Sequence, residues 1–351
     1  MRILYGVTGE GLGHAMRSRV IAEHLRQRGH TVQLVASGRA RGYLARYFPD
    51  VEEIPGFTLA YARGGIARMQ TLRSNYRAAR GAIRDCVDLY RWPVAAFQPE
   101  VCISDLDSFA HLAGRLFGRP VISIDHHHVL DRCKHVGLRR RYPIPLTRAF
   151  VRAKLPGCAH YIVTSFYQPP LRQRARDSTT LVGPILRREV LDLEPTTGDH
   201  VLVYQTATRD LVEPLAALGD HKFVVYGCGP GKSAHDHITF RPFDETQFLA
   251  DLASARAVIC NGGYTLMSEA LYLGKPVLSV PLRRHGEQLL NARYLEALGL
   301  GRTTPEPDAD AFRAFLRSLP PTRRIAPGNE LAFAALDRIL DEVLDQTLEA
   351  S

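Results

Sequence analysis

The sequence predicts an α/β protein of two domains, each a parallel β-sheet covered by helices on both faces. Three observations carry this. The chain has 351 residues, about twice the length of a common single domain. Short apolar runs alternate with helical segments, and strands buried on both faces of a parallel sheet read as such runs. Past residue 182 the alternation pauses at a polar stretch and then starts again. The expected division is residues 1–182, residues 183–328 and a closing helix at 329–351.

The first 30 residues read as strand, glycine loop and helix. The apolar run Ile3–Val7 leads into Thr8-Gly9-Glu10-Gly11-Leu12-Gly13, then an amphipathic segment from His14 to Arg28, with Gly29 where a helix ends. Thr31–Val35 restarts as a strand, completing a β-α-β unit, and the pattern recurs at Val101–Ser104, Val121–Ile124 and Tyr161–Thr164. Gly183-Pro184 reads as a crossing, followed by a polar stretch from Glu194 to Asp199. The second series of strands is His200–Tyr204, Lys222–Tyr226, Ala257–Cys260 and Pro276–Val280. From Asn329 to Leu348 the apolar residues Leu331, Leu336, Ile339, Leu340, Val343 and Leu344 fall on a helical stripe.

Hydrophobic residues make up 45% and charged residues 23% of the chain, a composition that excludes a disordered tail. No run of about 18 apolar residues occurs and no signal-peptide core follows Met1, so the expectation is a cytoplasmic protein. The six cysteines are scattered without a Cys-x-x-Cys pair, which points to reduced thiols and against structural zinc. Residues 1–160 hold 25 of the 45 Lys and Arg but 12 of the 36 Asp and Glu, a net +13 against −4 for the rest. One half alone is thus suited to an anionic partner: a phosphorylated metabolite, a nucleic acid or the inner face of a membrane. Arg68, Arg73, Arg77, Arg80 and Arg84 lie in a helical stretch between Arg63 and Arg91. It is either a solvated face or contact with such a partner, and aromatic residues do not interleave it as base-stacking platforms would, so no nucleic acid is expected.

The strongest chemical signal is Asn261-Gly262-Gly263-Tyr264-Thr265-Leu266-Met267-Ser268-Glu269, running from a strand end into a helix. Two glycines at that turn let a phosphate approach the backbone, and a helix N-terminus offers unpaired N–H groups and the positive end of its dipole. Thr265 adds a hydroxyl, and Glu269, one turn further, has two oxygens to accept from both hydroxyls of a ribose. After the next strand, Glu287 and Gln288 are placed to read sugar hydroxyls. At the other end of the chain, His14 stands at a helix start, where the dipole favours the neutral imidazole a general base requires.

Three weaker patterns are set aside. Tyr226-Gly227-Cys228-Gly229-Pro230-Gly231-Lys232-Ser233 approximates a phosphate-binding loop of the Walker type but has Tyr226 where that loop needs glycine. Gly9-x-Gly11-x-x-His14 has histidine in place of the third glycine of a dinucleotide fingerprint. The consecutive His126-His127-His128 point different ways after a strand and cannot share one ion, although one of them is expected to face the cleft.

Residues 257–299, with Asn-Gly-Gly-Tyr-Thr, Glu269, Gly274-Lys275-Pro276, Pro281, Glu287-Gln288 and Asn291-Ala292, resemble the nucleotide-sugar-binding half of the GT-B glycosyltransferases. The likeness is nearest to the MurG-like family 28 and extends to the plant and mammalian UDP-glycosyltransferases. It implies two Rossmann-like domains facing each other across a cleft, with the final helix returning to the first. It also implies that Gly262, Gly263 and Thr265 hold the diphosphate, Glu269 the ribose, and Glu287 and Gln288 the donor sugar. Asn261 stands where the plant enzymes keep a phosphate-binding histidine. Gln205 and Thr206 fall where MurG has a Gly-Gly-Ser loop, and Arg241-Pro242-Phe243 matches the loop that reads the base. In the first domain His14 matches the base that deprotonates the acceptor, Asp105 the aspartate that orients it with Asp107 as fallback, and Gly11, Gly13 and Arg17 the surrounding loop.

The resulting expectation is an inverting, metal-independent glycosyltransferase that uses a UDP-sugar (UDP-GlcNAc or a UDP-hexose) and no cofactor. Thr265, with Arg283 or Arg284, would stabilise the departing UDP, and the basic half would receive the acceptor. Gly13-His14-x-x-Arg17 also resembles the loop of UDP-sugar hydrolases of the pseudaminic acid pathway, and a UDP-GlcNAc 2-epimerase is a more distant alternative. A non-catalytic, basic membrane- or nucleic-acid-binding protein is the third.

Overall fold

The computed structural model describes residues 1–56, 61–62, 65–66, 68–135, 144–205, 211–227 and 235–349. The apolar runs of the first half form one parallel sheet of seven strands. In spatial order they are Glu52–Glu53, Thr31–Ala36, Arg2–Val7, Val101–Asp105, Val121–Asp125, His160–Thr164 and Thr179–Val182. The second half forms a parallel sheet of six, in the order Ile238–Phe240, Lys222–Tyr226, His200–Tyr204, Ala257–Cys260, Val277–Ser279 and Gly301–Thr303. The long interior strands are those read from the sequence. Thr179–Val182, Ile238–Phe240 and Gly301–Thr303 were not: they are three or four residues long at or near sheet edges, too short for a run to stand out.

Each sheet reverses its order once, between Arg2–Val7 and Val101–Asp105 in the first and between His200–Tyr204 and Ala257–Cys260 in the second. A crevice opens outside the carboxyl ends of the strands at such a reversal, and ligands bind there in open α/β sheets. The glycine loop ending at His14 leaves one crevice and the Asn261 turn leaves the other. The register pairs Val7 with Asp105 and Tyr204 with Cys260, so each motif starts at its own switch point.

The closing helix, Asn329–Glu349, buries Ala332, Leu336, Ile339 and Leu340 in one apolar cluster with Ile3, Ile103, Ile122 and Ile162 of the first sheet. Its stripe is phased differently from the expected one. Leu331 is 66% exposed while Ala332 and Ala335 face inward, because small residues let the helix lie close on the sheet. The two chain crossings between the halves also touch. A Cβ on Gly328 would lie 2.2 Å from the Gly183 carbonyl oxygen. Asn329 is bonded to the Leu186 backbone twice, accepting from its N–H (3.0 Å) and donating to its carbonyl (2.8 Å).

The Arg-rich stretch is helical over Arg68–Leu89, with Arg73 and Arg84 exposed, and Arg91 beyond it is exposed too; Arg63 lies outside the described residues. Most of the Walker-like segment, from Cys228 onward, lies outside them as well. Among the described residues no helix is long and apolar enough to cross a membrane, and Cys86, Cys102, Cys133, Cys158 and Cys260 are free thiols.

Candidate active site

The helix Leu12–Gln27 starts at Gly11, whose φ of +100° is one that side chains rarely adopt. This start turns His14 towards Asp105, the last residue of its strand, and the imidazole Nδ1 lies 2.7 Å from Asp105 Oδ1. Arg17 Nη2 donates to the same oxygen at 2.6 Å, and Ser18 Oγ donates to Oδ2 at 3.0 Å. Arg17 Nη2 is also 2.7 Å from His14 Nδ1. Nδ1 can donate to Asp105 or accept from Arg17 but not both; in the tautomer that serves a general base the Nδ1 proton is held by Asp105. Nε2 is then left with a free lone pair. Burial lowers the His14 pKa below 6.5; Asp105 opposes this, and Arg17 adds to it. The fallback, Asp107, is occupied elsewhere: its carboxylate caps the helix Ser108–Leu116 by accepting from Ala110 N–H at 2.9 Å. Burial raises it to about 6.

Across the cleft, Gly263 precedes the helix Tyr264–Tyr272, and Gly262 takes φ +90°. This helix start meets the one that carries His14, since a Cβ on Gly13 would lie 2.2 Å from Thr265 Oγ1. His14 and the Gly262-Gly263 turn are therefore opposed at close range. Gly13→Ala is expected to keep the fold, since alanine suits a helix, yet to lower kcat/KM at least about tenfold by forcing the two helix starts apart. Steady-state kinetics beside a thermal melt would check it; unchanged kcat/KM would show that the contact does not matter.

The remaining predicted positions are distributed as follows. Asn261 is buried, its amide donating to Val280 O at 3.4 Å. Glu269 is buried and takes both Nε (2.9 Å) and Nη2 (3.1 Å) of Arg187, a residue of the first crossing, while Arg187 Nη1 donates to Glu245. Glu245 also accepts from Tyr43 and Arg46 of the first domain, at 3.0 Å each. Glu287 accepts from Asn291 Nδ2 at 3.1 Å, and burial raises its pKa to about 7. Gln288 Oε1 accepts from Leu282 N–H at 2.9 Å, closing the loop before it. Gln205 is fully buried, Phe243 is 39% exposed, and Thr206 lies outside the described residues. Arg283 pairs with Glu306 at the surface and Arg284 is exposed.

Several cleft residues escaped the sequence reading. Arg187 and Glu245 carry no motif. Of the three histidines, His126 has Nδ1 2.7 Å from Thr164 O and Nε2 2.8 Å from Asn291 Oδ1, stacking on Tyr264 at 3.9 Å. His128 Nδ1 lies 2.6 Å from Asp125 Oδ2. His127 stacks towards His14, ring centroids 5.3 Å apart. The three diverge, and among the described residues no group of three His, Cys, Asp or Glu is placed to hold a metal ion.

The family profile described as glycosyl transferase family 1 matches residues 1–320. An uncharacterized glycosyltransferase of Methanosarcina mazei is 27% identical over 347 residues, covering 90% of each chain. One of Methanopyrus kandleri is 26% identical over 310 residues, covering 81% of this chain and 87% of its own. Among solved structures, the spinosyn rhamnosyltransferase SpnG superposes with TM-score 0.63 at 16% identity over 100% of both chains. A Medicago truncatula UGT complexed with UDP-glucose gives 0.63 at 12% identity, over 97% of this chain and 98% of that one. These likenesses confirm the GT-B fold. The nearness to the MurG-like family 28 gains no support from them, nor do the hydrolase and epimerase alternatives. With the profile matched over most of its length, the chain belongs to glycosyl transferase family 1 and is a glycosyltransferase.

Proposed function

We propose that the protein is an inverting, metal-independent transferase that moves a sugar from a UDP-sugar to an acceptor hydroxyl. The observation that carries this is the His14–Asp105 pair at 2.7 Å, on a helix start that abuts Thr265 of the phosphate-type turn. His14 Nε2 takes the acceptor proton as the hydroxyl oxygen attacks the anomeric carbon from the face opposite the nucleotide, and Asp105 stabilises the imidazolium that forms. The bond to the UDP oxygen breaks in the same step, which inverts the anomeric centre. The charge on the departing diphosphate is met by the N–H groups and dipole of the helix at Gly263 and by Thr265, an arrangement that supplies electrostatic stabilisation without an ion.

Gly262 allows close approach of the diphosphate and the loop at Phe243 receives the base, while Glu269 can take the ribose hydroxyls only on the lone pairs that Arg187 leaves free. By the family resemblance Gln205 belongs to the phosphate side, and Glu287 and Gln288 to the sugar. Support for a uridine donor comes from structural neighbours solved with UDP-L-rhamnose, UDP-glucose and UDP. The net +13 of residues 1–160 favours an anionic acceptor, or a membrane surface that presents one, on the His14 side.

Calorimetry with UDP and GDP, followed by transfer assays in the presence of a chelator with NMR of the product anomer, tests this reading. UDP binding in preference to GDP and an inverted product are expected. Absence of UDP binding at millimolar concentration, or a retained anomer, would overturn it.

A further inference from the structure

The loop after the strand Val121–Asp125 is pinned by Asp125. That carboxylate accepts from the His128 N–H (2.9 Å) and Ser123 Oγ (2.6 Å) and meets His128 Nδ1 (2.6 Å). The pinning leaves the three histidines no freedom to turn together. His126 and His128 are bonded within the fold, whereas His127 makes no hydrogen bond: its Nδ1 is buried without a partner, and its Nε2 stands 3.6 Å from Glu287 Oε2.

The Nε2 side of the His127 ring faces the second domain. His127 itself belongs to the first domain, with its ring alongside that of His14. Glu287 belongs to the second domain and opens the helix Gly286–Ala297. The gap between them is slightly too long for a direct hydrogen bond. Burial keeps the imidazole neutral, with one donor and one acceptor nitrogen. The carboxyl of Glu287 is steadied by Asn291 at 3.1 Å.

We propose that His127 is a sugar-selecting residue: its imidazole and the Glu287 carboxyl bracket one hydroxyl of the donor sugar, so that the two domains read the sugar jointly. This rests on the donor reading of the site given above and goes beyond it by assigning sugar recognition to a first-domain side chain. A hydroxyl both donates and accepts, so it can bond His127 Nε2 and Glu287 Oε2 at once, which neither group can do for the other at 3.6 Å. Selection of this kind is strong because a sugar lacking or misplacing that hydroxyl leaves His127 Nε2 and Glu287 Oε2 without it.

The test uses the full chain and calorimetry with UDP, UDP-glucose, UDP-galactose and UDP-GlcNAc. The wild type is expected to bind one of these sugars more tightly than bare UDP by about tenfold, as one well-formed hydrogen-bonded group provides. His127→Ala and His127→Gln should bind UDP within about twofold of the wild type while losing most of that sugar increment and the preference among sugars. Glu287→Gln should lose it too, and the double variant should lose little more, the signature of two groups sharing one partner. UDP binding with the increment and preference intact in both His127 variants would overturn the proposal. Failure of the wild type to bind UDP would instead overturn the donor reading, and this assignment with it.

Discussion

His14→Ala is expected to lower kcat about 10³-fold while UDP affinity stays within about twofold of the wild type. The reason is positional: the Gly13–Thr265 contact does not involve the His14 side chain, so on the proposed reading its loss removes the base and leaves the phosphate turn in place. The pH dependence gives a second readout. The base works only when neutral, and burial holds its pKa below 6.5. Activity limited by His14 should therefore fall in acid with its midpoint below 6.5, as the imidazole takes up a proton. The residual activity of His14→Ala should lack that acid limb. Initial rates across about pH 5 to 8 would decide. A variant with near wild-type kcat, or one that keeps the same limb, would remove His14 from the base role.

Arg187→Ala is expected to destabilise the protein by about 3–5 kcal/mol, the loss typical when one partner of a buried ion pair is deleted and the other charge is left behind. Arg187 is 2% exposed and spans two carboxylates, Glu269 through two nitrogens and Glu245 through the third. Glu245 keeps Tyr43 and Arg46, but Glu269 would have no cation in contact. Its pKa is already above the ordinary glutamate value because of burial, with Arg187 pulling it down. Deleting Arg187 lets it rise further. A carboxyl whose folded pKa lies above its unfolded one is penalised most when both states are ionised, and the penalty shrinks as pH falls through the folded value. The loss should thus be largest near neutrality and smaller in mild acid. Urea denaturation at both pH values checks this against Arg188→Ala, whose exposed pair with Asp192 should contribute under about 1 kcal/mol. Equal losses for the two variants would rule out a structural role for the buried pair.

The same network shows how far the sequence could be read. The runs Ile3–Val7, Val101–Ser104 and Ala257–Cys260 were legible because a strand buried on both faces needs uninterrupted apolar residues. The glycine turns were legible because a backbone with positive φ, as at Gly11 and Gly262, almost demands glycine. Both signals are local. The choice between Asp105 and Asp107 was not, since two residues apart they look alike as letters. Strand register aligns Asp105 with Val7, next to the loop that carries His14, while the helix start claims Asp107 as its cap.

By itself, then, the sequence determined two parallel α/β sheets, the turn that opens each crevice, and the residue types available at them, because hydrophobic periodicity and backbone conformation are written within a few neighbouring positions. Only the tertiary structure decided which distant groups meet. Arg187 reaches Glu269 across 82 positions, His127 comes to Glu287 from the other domain, and Leu331 yields the inner face of its helix to Ala332. Such pairings depend on how two sheets and a returning helix pack, and burial then makes each unmatched charge or polar atom count.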